Sequence, residues 1–142
     1  MRGTSRRAEG LAAIEAAGIE PALADPDRVG TVLELVGDVA VVFHLLGSAD
    51  GDSEAVAAIH GPRLERLLEK VVDTPVRGLV YEAVGSADGA VLAGGAEIVV
   101  TASRTWRIPA EVVVTESNDS AEWSQGMANL ALGLVSPARG VK

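Results

Sequence analysis

Apolar and polar positions along this chain of 142 residues switch repeatedly between helical and strand-like spacing. Leu11 to Ala17 (LAAIEAA) is rich in helix formers, and Gly18 stands where a helix C-terminus closes. Ile19 to Ala24 is a short apolar stretch ending at Asp25-Pro26, and Pro26 is suited to open a helix. Val29, Val32, Leu33 and Val36 then recur at helical spacing before Gly37-Asp38. Val39 to Leu46 (VAVVFHLL) is the clearest strand, apolar nearly throughout, as a strand covered on both faces should be. Ser53 to Ile59 reads as one helical piece. Pro62 opens another, with Leu64, Leu67, Leu68, Val71 and Val72 as its apolar stripe and Thr74-Pro75 as its stop.

The alternation continues to the end. Leu79 to Val84 reads as a strand, and Ala90 to Ser103 as a helix weakened by Gly94 and Gly95. Ile108 to Thr115 contains a last strand. Ser120 is placed to cap a helix carrying Trp123, Met127, Leu130 and Leu134. This order predicts an α/β fold of three layers around a mostly parallel sheet with right-handed crossovers. Residues 1–136 read as one domain and residues 137–142 as a frayed tail.

The pentapeptide GSADG occurs at Gly47–Gly51 and again at Gly85–Gly89, each time directly after an apolar strand. Ligands of open α/β sheets sit outside the carboxyl ends of strands, where glycine permits close backbone approach. Strand-to-helix turns favour the same residues for local reasons alone, and this plainer reading is the preferred one.

Composition narrows the function. The net charge of −8 argues against nucleic acid as a partner. Aromatic residues are only 3%, so aliphatic side chains must fill the core. The chain has no cysteine, which rules out disulfides, thiolate catalysis and zinc–thiolate sites. No apolar run approaches the ~20 residues of a membrane span, and Met1–Gly10 lacks a signal-peptide apolar core, so the expected compartment is the cytoplasm.

The segments RGTSRR, AAGIEPALADPDR, DVAVVFHLLGS, DTPVRGLVYEAVGS and TWRIPAEVV, taken in this order, resemble the extended and atypical short-chain dehydrogenase/reductases, which include NAD(P)-dependent epimerases and dehydratases. The resemblance spans roughly Gly3 to Val114. It implies a Rossmann-like fold and a dinucleotide ligand. In that family the second strand ends at the 2′-phosphate of NADP, and Thr4, Ser5, Arg6 and Arg7 stand at that point here. A guanidinium binds phosphate through paired hydrogen bonds, whereas a carboxylate there favours NAD, so NADP is the implied cofactor, with Arg6 the leading residue. Taken alone, Arg6 reads better as a solvated charge near a chain end. Asp25 matches the residue beside the adenine, although it is also placed to cap a following helix. Leu46 and Gly47 match positions beneath the pyrophosphate and ribose, and Leu45 reads as packing.

Two departures limit the resemblance. The chain starts where the family's second strand would already be running, so the central first strand and its glycine-rich phosphate loop are missing. That loop supplies the amides that hold the pyrophosphate, and most dinucleotide affinity should be lost with it. The catalytic YxxxK is missing too: Tyr81 has Gly85, not lysine, four residues on. Ser86, near the family's serine, has no such partner and reads as a turn residue. No catalytic residue is assigned.

Other constellations carry less. His44 reads as a satisfied buried histidine and His60 as a helix-end residue. Asp50, Asp52 and Glu54 form a solvated turn without the twelve-residue calcium loop. Ser48, His44 and Asp50 have no triad spacing. Trp106 and Trp123 read as core or interface.

Losing a central strand would leave two neighbouring strands with unpaired edges. The remaining strands close up, a partner chain supplies the pairing, or the chain is a fragment of a longer protein; the last is the favoured expectation. The functional expectation is an NAD(P)-binding short-chain dehydrogenase-like protein without a complete catalytic set. The alternative is a non-catalytic relic serving as a scaffold or for self-association as a homo-oligomer.

Overall fold

The computed structural model describes residues 1–116 and 119–135. Strands and helices alternate as β1 (Arg2–Ser5), α1 (Ala8–Ala16), β2 (Glu20–Leu23), α2 (Val29–Leu33), β3 (Val41–His44), α3 (Ser53–Ile59), α4 (Pro62–Val71), β4 (Gly78–Glu82), α5 (Gly89–Trp106), β5 (Ala110–Val113) and α6 (Ser120–Val135). Every strand pairing is parallel. The strands nevertheless form two sheets, β1-β2 and β3-β4-β5. They do not close up: no backbone hydrogen bond joins β1 to β3 among the described residues.

The layers are built around β4, the one described strand paired on both edges. Leu79 and Tyr81 point to one face, where Leu64 and Leu68 of α4 and Val99 of α5 cover them. Val80 points to the other face, onto Met127 and Leu134 of α6. This two-residue alternation is what a strand sandwiched by helices requires. A second cluster joins Val29 and Val36 to Leu67 and Val71 of α4. Each large side chain buried in this way contributes about 1.5–3 kcal/mol.

β1 pairs along its four residues with Glu20–Leu23. Three expectations need correction. VAVVFHLL is not covered on both faces. Only Val41–His44 enters the ladder, and Phe43 and Leu45 are 37% and 40% exposed, because only β4 pairs with this strand. Pro26 does not open a helix. Asp25 Oδ1 accepts from the Asp27 N–H and Thr31 Oγ1 from the Asp25 N–H, forming a turn that delays α2 until Val29. Asp119, rather than Ser120, caps α6, accepting from the Ala121 and Glu122 N–H groups.

Helix α5 runs unbroken through Gly94 and Gly95 to Trp106, longer than its glycines suggest. It closes at Arg107, whose φ of 56° is left-handed. The tail expected at 137–142 lies outside the described residues.

Candidate functional site

Within each sheet the strands run the same way, so their carboxyl ends lie along one edge. The last residues of β1 and the turns after β2, β3 and β4 supply the groups there. At the end of β1, Ser5 Oγ donates to the Arg7 carbonyl and accepts from the Arg7 N–H, at 3.0 and 3.1 Å. Gly10 is needed beneath that hydroxyl, since a methyl group there would overlap it.

Arg6 is exposed, and its guanidinium donates to the Asp50 carbonyl in the turn after β3, at 3.1 Å. Arg7 is exposed at the entry to α1. Thr4 is exposed within β1, opposite Ala22. Asp25 is half-buried just beyond Ala24, whose N–H donates to the Ser5 carbonyl. Backbone pairing thus places Asp25 close to the end of β1, and Arg6 joins that end to the turn after β3.

The two GSADG turns are locked to each other. A methyl group on Gly47 would strike the Val84 carbonyl, and one on Gly85 would strike the Gly47 backbone. Gly85 also has a φ of 151°, a conformation that favours glycine. The Ala87 N–H donates to the Gly47 carbonyl at 2.9 Å, and the Ser86 N–H to Ser48 Oγ at 3.0 Å. Asp88 of the second copy caps α5 through the Ala90 N–H, and Asp52, just after the first, caps α3 through the Ala55 N–H. The repeat therefore has a structural cause: two backbones cross in contact.

Beneath these turns lies a cluster of three rings. His60 Nε2 is 2.8 Å from the Leu46 carbonyl, which can only accept, so Nε2 carries a proton and donates it there. Nδ1 then accepts from the Tyr81 hydroxyl at 2.6 Å. Burial pushes the Tyr81 phenol up to about 12. His44 packs against both rings, with centroids 5.3 and 5.1 Å away. Its Nδ1 is buried without a hydrogen-bond partner among the described residues, so His44 is not the satisfied histidine the sequence suggested. Desolvation, helped by the neighbouring His60, lowers its pKa to about 3.

This pair was not visible in the sequence. Nothing in a 21-residue separation links Tyr81 to His60, and the signal is structural: Gly95 leaves the space that the Tyr81 hydroxyl fills. Tyr81 is fully buried and spends its proton on His60, so it offers no acid to a bound substrate.

Elsewhere, a groove of about 340 Å³ between α4 and α5 is lined by Glu65, Glu69, Glu97 and Trp106, among others. None of the candidate cofactor residues lines it. No group of three histidine or acidic residues is placed to hold a metal among the described residues.

No protein-family model matches this chain. No curated protein matches it either. Solved structures do. Triphenylmethane reductase from Citrobacter sp., crystallised with NADP(H), superposes with a TM-score of 0.56 at 17% identity, over 78% of this chain and 38% of its own. The structure titled gox2253 gives a TM-score of 0.58 at 18% identity, over 79% of this chain and 41% of its own. The fold is Rossmann-like. At these identities the likeness concerns architecture, and the chain spans about two-fifths of the length of both structures. Within this Rossmann-like frame, no described helix is long and apolar enough to cross a membrane.

Proposed function

We propose that this chain is an NAD(P)-binding unit, related in architecture to short-chain dehydrogenases, that meets the adenosine end of NADP and carries no catalytic set of its own. The reading rests chiefly on the joining of the arginine-bearing end of β1 to the turn after β3, through Arg6 and Asp50. The NADP(H)-bound reductase of similar fold supports it. Arg6 and Arg7 would take the 2′-phosphate, with Thr4 beside them. Asp25 would lie along the adenine, and Leu46 and Gly47 beneath the ribose and pyrophosphate. Arg6 would have to exchange the Asp50 carbonyl for phosphate oxygens, and a charge-assisted pair is the stronger bond.

The described turns include no glycine-rich loop of the kind that cradles a pyrophosphate, so affinity should be modest and concentrated in the 2′-phosphate. Titration of NADPH fluorescence tests this. NADPH should bind roughly tenfold tighter than NADH. Equal binding of the two, or none, would remove the assignment. The alternative, a non-catalytic scaffold, draws on the sequestered Tyr81, whose hydroxyl is buried and committed to His60.

A further inference from the structure

Helices α4 and α5 leave a groove of about 340 Å³ between them, a volume that small-molecule sites share. Its floor is apolar. Gly94, Ile98 and Ala102 recur every four residues along α5 and so form one strip along the helix axis. A methyl group at Gly94 would meet nothing within 4 Å, so the strip is open at that end. Trp106, 44% exposed, stands at the other end, about 18 Å away at the helical rise.

Three carboxylates rim the floor: Glu65 and Glu69, four residues apart on α4, and Glu97 on α5. All three are exposed, and none makes an ion pair or a side-chain hydrogen bond among the described residues. The same helix α4 does carry cations, but Arg63, Arg66 and Lys70 follow a different stripe, and Arg63 pairs with Asp27. No basic residue lines the groove. The three carboxylates do not converge on one point either, since no three acidic or histidine residues among the described ones could share a metal ion. A ligand that answers all of them must carry its positive charges apart, with an apolar stretch between them to match the floor.

We propose that this groove binds a linear aliphatic polyamine. Its methylene chain lies on Ile98 and Ala102, its ammonium groups meet Glu65, Glu69 and Glu97, and one end stands over Trp106, whose ring attracts a cation. One exposed ion pair contributes little, so the affinity comes from joining several on one chain. The net charge of −8 draws a polycation toward the surface. A lysine-rich peptide fits less well, because its amide groups would lie unpaired on the apolar floor. None of the candidate cofactor residues lines the groove, so the inference does not depend on dinucleotide binding.

Fluorescence titration of the full chain with spermidine tests it. Trp123 packs on the opposite face of β4, and Trp123→Phe leaves Trp106 to report. Spermidine should shift the Trp106 emission and bind roughly tenfold or more tighter than butylamine or Mg²⁺ at equal ionic strength. Glu69→Gln with Glu97→Gln should weaken it roughly tenfold. Glu9→Gln with Glu15→Gln, the same charge change on α1, should leave it as it was. Calorimetry on the unsubstituted chain repeats the comparison if Trp123→Phe alters the circular dichroism. Butylamine or Mg²⁺ binding as tightly as spermidine would overturn the proposal. So would equal losses in the two double variants, tighter binding of trilysine, or a dimer that buries Trp106 and ignores spermidine.

Discussion

Four glycines, Gly10, Gly47, Gly85 and Gly95, and one buried ring pair concentrate the local constraints. Replacing Gly95 with alanine would push a methyl group into the Tyr81 hydroxyl and should destabilise the fold by about 1–3 kcal/mol. Tyr81→Phe leaves His60 Nδ1 without its donor in a dry site and should cost about 1–3 kcal/mol. Urea denaturation of both variants checks this; loss of under about half a kilocalorie per mole in each would show the pair to be slack. His44 gives a pH signature. Its folded pKa is depressed to about 3, against an ordinary 6.5, so unfolding takes up a proton between those values. Stability is fully present above about pH 6.5 and falls as pH drops, by about 2–3 kcal/mol at pH 4.5. His44→Phe should flatten that decline in thermal denaturation curves. An unchanged acid limb would mean that His44 does not titrate as its burial demands.

At the scale of elements, the sequence was legible where period and punctuation agreed. The stripe of α4 behind Pro62, the helix over Ser53–Ile59 and the order of strands all follow from apolar spacing and breakers. Misreadings arose where a side chain overrode the pattern. Asp25 and Thr31 build a turn where Pro26 alone suggested a helix start, and an aspartate took the cap assigned to Ser120. The length of VAVVFHLL misled because apolar character records burial wherever it comes from, and here part of the run lines an open edge. The GSADG echo was visible, but its cause was not, since crossing backbones leave no trace in spacing. Gly47→Ala should therefore cost more than an ordinary turn substitution, about 2 kcal/mol or more, because the methyl group meets a carbonyl rather than a flexible side chain. Guanidinium denaturation of Gly47→Ala beside Gly89→Ala, which meets nothing, isolates the crossing.

For the whole molecule, a parallel layered design brings residues far apart in sequence to one edge, and this much the alternation of elements foretold. It did not foretell that Arg2 would reach Leu35 and Asp38 just ahead of β3, or that Arg6 would reach Asp50 just beyond it. Arg6 and Arg7 sit in a chain of net charge −8, so the phosphate contact proposed for them would gain nothing from the overall field. NADPH binding should weaken as salt rises, and Arg6→Glu should abolish the preference over NADH. The most direct test is a titration of the isotopically labelled chain with NADPH, followed by amide NMR shifts. Shifts centred on Thr4, Arg6, Arg7, Asp25, Leu46 and Gly47 are the predicted result. Shifts confined to the groove between α4 and α5, with the end of β1 unmoved, would contradict it.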